Sequence, residues 1–295
     1  MTALPAPGPI PAPATGPVTG PGPLRMTPGR WVTLLLGVPI ALTLIGWAGF
    51  SFVSGFGTAS FPVNATIPLQ NGRLVASMGG ADVTLHEDLA GGNTARLVGK
   101  VQYSLIRPGF TVFGTDVSLH CRLFTGNCGL NASLDVPAGT AVDLTTGGGN
   151  VQLSDIQNDL TLNTGGGDVS VSGVGGSTDL STGGGNVSAS DLVGNVVFQT
   201  SGGDVSVNDV LASNVKLDTG GGNISLVFAK VPASLEIQSS GGDISVVLPH
   251  SATRYAITSN TSGGDYSATV PTNSASRNAI DIESGGGNIS ITEAS

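Results

Sequence analysis

The chain is short of cysteine, of basic charge and of catalytic clustering, and each shortage removes a class of function. Two cysteines occur in 295 residues, Cys121 and Cys128. A metal site built on them needs two more ligands, and although His120 is adjacent, nothing completes a set of four. Eleven Lys/Arg stand against twenty Asp/Glu, which argues against nucleic acid, whose backbone demands cationic contacts. No Lys-Ser/Thr follows any glycine cluster and no helix begins there, which argues against a phosphate-cradling loop. His86, His120 and His250 are scattered without a nucleophile-and-acid constellation, and Gly173-Val-Gly-Gly-Ser177 is not a nucleophile elbow. No cofactor motif is present, and the chain reads as non-enzymatic.

What the chain has instead is repetition. Between Gly147 and Ser290 one phrase occurs eight times: two or three glycines, an Asn or Asp, then Val, Ile or Tyr. The anchors are Asn150, Asp168, Asn186, Asp204, Asn223, Asp243, Asp265 and Asn288, spaced by 18, 18, 18, 19, 20, 22 and 23 residues. A period of this length marks one supersecondary unit stacked on copies of itself. With the anchor as position zero, +1 holds Val151, Val169, Val187, Val205, Ile224, Ile244, Tyr266 and Ile289. Position +3 is apolar from Leu153 to Ile291, and +2 holds Gln152 followed by seven serines. Apolar, polar, apolar at period two is a half-buried strand. A second strand precedes the glycines, with Leu144, Leu162, Leu180, Phe198, Leu217, Ile237 and Ile282 at −6. Ile257 stands two residues early, which reads as an insertion in the seventh repeat.

Each unit is therefore strand, Gly-rich turn, strand, short turn, and the glycines supply the positive φ of a sharp reversal. The fold class is all-β. Equal spacing with the same residues inside favours a parallel β-solenoid of 18–23-residue two-strand repeats over an antiparallel sandwich or meander. Stacking brings neighbouring anchors to about 4.8 Å. Alternation of Asn and Asp then keeps carboxylates two coils apart and lets each amide donate to a carboxylate. Only Asp243 and Asp265, two successive anchors, break the alternation.

Residues 1–28 hold nine of the seventeen prolines and no acidic residue, a composition for an extended, disordered cytoplasmic tail. Trp31 to Val53 is uncharged and long enough to span a bilayer within a transmembrane segment 29–54. Arg25 and Arg30 precede it and no Lys or Arg follows until Arg73, so the N-terminus stays in the cytoplasm. A cleaved signal peptide is the competing reading. Residues 55–66 read as a linker, 67–140 as divergent repeats forming a cap, and 141–295 as the Gly-rich repeat domain. Gly79-Gly80-Ala81-Asp82-Val83 and Gly114-Thr115-Asp116-Val117 echo the repeat. Outside the cell Cys121 and Cys128 pair, closing a short loop worth roughly 2–3 kcal/mol, with free thiols as the alternative. The last repeat ends three residues from the C-terminus, so strand Ile289–Thr292 is expected to present an open edge, paired with a partner chain or shielded by the divergent segment.

Gly-Gly-Gly-Asp-Val resembles half of a calcium-binding nonapeptide roll. The period here is 18, however, half of the anchors are Asn, and calcium takes some six to eight oxygen ligands, several of them anionic. Asp155, Asp191 and Asp209, each five residues beyond an anchor, form a row that a polysaccharide-cleaving β-helix could use. They read instead as turn residues ending a strand. The serine ladder at +2 offers hydroxyls to a glycan or to ordered water.

Val142-Asp-Leu-Thr-Thr146-Gly-Gly-Gly-Asn150-Val, its Pro137-Ala-Gly-Thr140 lead-in and the recurring Gly-Gly-Asp/Asn-Val/Ile-Ser units resemble a bacterial putative-adhesin family of β-strand-repeat proteins. The resemblance covers residues 70–295 and implies a β-solenoid-like surface domain. The expected function is a single-pass, extracellularly displayed module for adhesion or envelope organisation, with a surface glycan or protein as ligand and edge-to-edge self-association as a further contact. Related domains resemble those of envelope-stress systems, which makes an extracytoplasmic sensor the second reading and a polysaccharide-active enzyme the third.

Overall fold

The computed structural model describes residues 58–88, 91–104, 106–121 and 128–294. The proline-rich tail and the apolar run 31–53 lie outside the described residues. Among the described residues there is no helix, and so none long and apolar enough to cross a membrane.

The chain opens with β1 (Ala59–Pro68), β2 (Arg73–Met78), β3 (Ala81–Asp88), β4 (Thr94–Tyr103), β5 (Gly109–Phe113), β6 (Asp116–His120) and β7 (Cys128–Pro137). The repeats then supply β8 (Ala141–Thr146), β9 (Val151–Ile156), β10 (Leu160–Thr164), β11 (Val169–Val174), β12 (Thr178–Thr182), β13 (Val187–Leu192), β14 (Val196–Thr200) and β15 (Val205–Val210). They continue with β16 (Asn214–Thr219), β17 (Ile224–Phe228), β18 (Ser234–Ser239) and β19 (Ile244–Leu248). The last four strands are β20 (Ala256–Thr261), β21 (Tyr266–Ala268), β22 (Ala279–Ser284) and β23 (Ile289–Glu293).

These strands form two sheets. The first runs β1-β4-β7-β3-β9-β11-β13-β15-β17-β19-β23-β21 and the second β20-β22-β18-β16-β14-β12-β10-β8-β2-β6-β5. Every repeat places its pre-glycine strand in the second sheet and its post-anchor strand in the first. Rungs stack parallel and in register, so Val151, Val169, Val187, Val205, Ile224, Ile244 and Ile289 make one column, each 1–2% exposed. The inward faces of both sheets share a single apolar core. This is a solenoid of flattened two-strand rungs, set by period-two burial on each strand.

The spatial order of the rungs departs from their sequence order at the end. After β19 the chain builds the outermost rung, β20–β21, and then returns to lay β22 between β18 and β20, and β23 between β19 and β21. Burial explains the choice. Ile280, Ile282, Ile289 and Ile291 of the last repeat are 0–1% exposed and need covering on both sides. The seventh repeat carries Ser259 in register with Ile282, and Ile257 with Ile280. It therefore has no insertion in the strand; a polar residue stands where the other rungs are apolar, because β20 is the outermost strand of its sheet among the described residues. The expected open edge at Ile289–Thr292 is corrected accordingly: that strand is paired on both sides, and the edge belongs to β20 and β21.

The N-terminal part is less regular. Residues 55–66, read as a linker, contain most of β1, which pairs antiparallel with β4, itself antiparallel to β7. Asp82 heads a true rung, since Val83 pairs with Val151. Gly114-Thr115 instead turns an antiparallel hairpin, β5–β6, in the second sheet, so that echo is not a rung. Cys121 and Cys128 are joined by a disulfide at the start of β7.

Candidate functional site

The stacking order brings the anchors into a column of nine: Asp82, Asn150, Asp168, Asn186, Asp204, Asn223, Asp243, Asn288 and Asp265. Asn288 now separates Asp243 from Asp265, and acid and amide alternate without a break. The bonds differ from the amide-to-carboxylate pairs expected. Each anchor's backbone N–H donates to the side-chain Oδ1 of the preceding rung, at 2.7–3.0 Å from Asn150 onto Asp82 through to Asp265 onto Asn288. One side-chain pair adds to this ladder, Asn288 Nδ2 onto Asp243 Oδ1 at 3.2 Å. Asn and Asp both offer Oδ1, so the ladder itself needs either. Alternation adds the electrostatic benefit of carboxylates roughly 9.6 Å apart rather than 4.8 Å.

The glycine before each of the eight anchors from Asn150 onward is fixed twice over. Gly167 has φ 89°, and a Cβ there would lie 2.2 Å from the carbonyl oxygen of Gly149 in the next rung. A second device went unread in the sequence. Thr146, Thr164, Thr182, Thr200, Thr219, Ser239, Thr261 and Ser284 occupy −4 in all eight repeats. Each hydroxyl donates to the carbonyl of the glycine two residues on at 2.5–2.9 Å, and accepts from its N–H at 3.1–3.4 Å. The signal was a hydroxyl residue in every copy of the phrase. It satisfies backbone groups that the sharp turn leaves unpaired.

Beside the anchor column no other described residue covers the outer face of the first sheet. A groove of about 520 Å³ runs along it, walled by Asp82, Asn150, Asp168 and Asn186 on one side and by Thr84, Gln152, Ser170 and Ser188 on the other. A second groove of about 510 Å³, over Pro62, Val98, Lys100 and Asn131, shares Asp82 and Thr84 with it. The two form one trough from the cap into the stack, with hydroxyl, amide and carboxylate groups repeating at the rung spacing.

Asp155, Asp191 and Asp209 share one column with Gly173 between the first two. They do not end their strands. Their φ values are 58°, 55° and 53°, with Gly173 at 67°. This left-handed step lets Leu153 and Ile156, three residues apart, both turn inward. The row sets the backbone geometry of its strands. The histidines are dispersed: His86 Nε2 meets Asp135 Oδ1 at 3.0 Å, His250 Nδ1 meets Glu293 Oε2 at 3.0 Å, and His120 ends β6. Among the described residues no three His, Cys, Asp or Glu converge on a point that could hold a metal. Burial pushes the Tyr255 phenol above its usual range near the far end, and hydrogen bonding to Glu236 raises the exposed Lys216.

The Toastrack DUF4097 family model matches residues 122–293, more than half of the chain, and the chain belongs to that family. No curated protein matches it significantly in sequence. Solved structures to which the chain is similar include a putative adhesin from Parabacteroides merdae, 9% identical with a TM-score of 0.43, covering 79% of this chain and 96% of that one. A putative lipid binding protein from Parabacteroides distasonis is 14% identical with a TM-score of 0.41, covering 79% and 97%. A putative cell adhesion protein from Clostridium sporogenes is 15% identical with a TM-score of 0.27, covering 79% and 100%.

Proposed function

We propose that this Toastrack chain is a non-catalytic display module, held in the membrane by residues 31–53 and presenting its stack outside the cell to a surface glycan or protein. The observation that carries the reading is the uncovered trough on the first sheet, where Asp/Asn and Ser columns repeat in register along the stack. A surface whose hydrogen-bonding groups recur every rung suits a ligand that itself recurs, and a glycan chain rich in hydroxyls is the simplest such ligand. An acidic exterior, with twenty Asp/Glu all beyond residue 80, suits solubility at that surface.

Two measurements test the reading. Protease added to intact cells should remove the repeat domain, and its survival until lysis would overturn the topology. Glycan-array and whole-cell binding should be saturable, and should be lost in a Ser170→Arg/Ser188→Arg variant that melts like the parent. Absence of binding to both arrays and cells would sink the adhesive reading.

A further inference from the structure

The two ends of the stack differ in how they close. At the head, β1 at the edge of the first sheet carries Pro62 and Pro68, which remove donors from an exposed edge, while β5 at the edge of the second carries neither proline nor charge. At the tail, β20 reads Ala-Ile-Thr-Ser-Asn-Thr and β21 Tyr-Ser-Ala, with neither proline nor charge. Ala256 and Ser262 donate inward to Asn278 and Ser284. Alternation along a parallel ladder therefore turns the N–H groups of Ile257, Ser259 and Thr261 outward. Thr269 likewise donates inward to Ile291, which leaves Tyr266 and Ala268 outward.

Side chains and charges at this end are equally unfinished. Tyr266 is 45% exposed at a position where the other rungs bury their residue to 1–2%. The carboxylate of Asp265, alone among the nine anchors, accepts no bond among the described residues, because no rung follows it. The rung is also polarised. Asp265 lies at its glycine edge, while Arg254 lies just before β20 at the opposite edge and Arg277 on the return segment, both exposed. These are two of only four Lys/Arg from residue 128 onward.

We infer that two copies of this chain join tail to tail, β20 and β21 of each pairing antiparallel with the same strands of the other. A two-fold of this kind lays the Asp265 edge of one copy against the Arg254 edge of its partner, twice. The other two-fold, which would lay β20 on β21 of the partner, sets like edges together. The end face is roughly 25 Å by 20 Å, so the contact buries on the order of 1,000 Å² in total, the lower limit for a specific interface. The dimer is correspondingly weak, with a dissociation constant in the micromolar range. The contact is isologous and closes on itself, so it makes dimers rather than fibres.

Sedimentation velocity on the full chain, in mild detergent over about a hundredfold range of concentration, tests this. The protein mass should rise from one chain to two across the range. Asp265→Arg should weaken dimerisation about tenfold without lowering the melting temperature, since that side chain accepts nothing within its own chain. Arg254→Asp should weaken it comparably, and the two changes together should restore it to within about threefold. Ser259→Pro, which removes one outward N–H, should give a monomer. A chain that stays monomeric throughout overturns the inference, as does a dimer indifferent to Asp265→Arg, Arg254→Asp and Ser259→Pro.

Discussion

The regular stack and the N-terminal cap extend the same two sheets by different means. From β8 onward each rung is a local copy, parallel to its neighbours, with aliphatic columns inside and the Asp/Asn ladder along one edge. The cap reaches its closure through β1, β4 and β7, antiparallel strands distant in sequence, and through the disulfide at Cys121 and Cys128. Charge follows the same division: residues 58–137 hold five Lys/Arg and five Asp/Glu, whereas residues 138–295 hold four and fifteen. Repetition spreads stability over many equivalent interfaces, while an end must be closed individually.

The comparison is broken most strongly at a turn in the stack. Gly185→Ala places a Cβ 2.1 Å from Gly167 O at φ 90°, and should cost roughly 2–4 kcal/mol in denaturant unfolding. Its neighbour Gly184 has nothing within 4 Å of a built Cβ, so Gly184→Ala should stay within about 0.5 kcal/mol. Equal losses at the two positions would refute the rung-to-rung approach of the backbones.

In the cap, Cys121→Ala/Cys128→Ala should remove roughly 2–3 kcal/mol. The loss should appear as faster amide exchange in β4 and β7, with β11 to β15 unchanged. A uniform acceleration would mean that cap and stack unfold as one. Thr182→Val deletes the hydroxyl that joins the turn at Gly184, and should cost about 1 kcal/mol. Smallest is Asn186→Asp, which makes three consecutive carboxylates with Asp168 and Asp204 while keeping every Oδ1 acceptor. It should cost roughly 0.5–1 kcal/mol, rising as salt is lowered. Asp168→Asn should be nearly neutral, and a salt-independent loss would assign alternation to something other than charge.

Much of this architecture was legible in the sequence. Anchors, aliphatic columns and the two strands of each unit follow from a period that any one repeat confirms in the next. The order of the last two rungs was not, because it is decided by which rung gains more from burial on both faces. Its trace was present nonetheless, in the adjacent pair Asp243 and Asp265 and in Ser259 standing where a leucine or isoleucine belongs. The Asp155, Asp191 and Asp209 row was visible too, but its left-handed backbone and its role in turning Ile156, Leu192 and Val210 inward belong to the folded strand. The cap resisted reading because antiparallel pairing across β1, β4 and β7 leaves no period behind. The trough beside the anchors needed the stack itself, since its walls come from residues 18 or more apart.

Hydrogen exchange resolved along the chain bears most directly on the order of the rungs. With β23 between β19 and β21, the amides of Ile289–Ile291 should exchange as slowly as those of Ile244–Val246, and in the monomer at low concentration Tyr266–Ala268 markedly faster. Fast exchange at Ile289–Ile291 with protection at Tyr266–Ala268 would contradict it, and would return the repeats to their order in sequence.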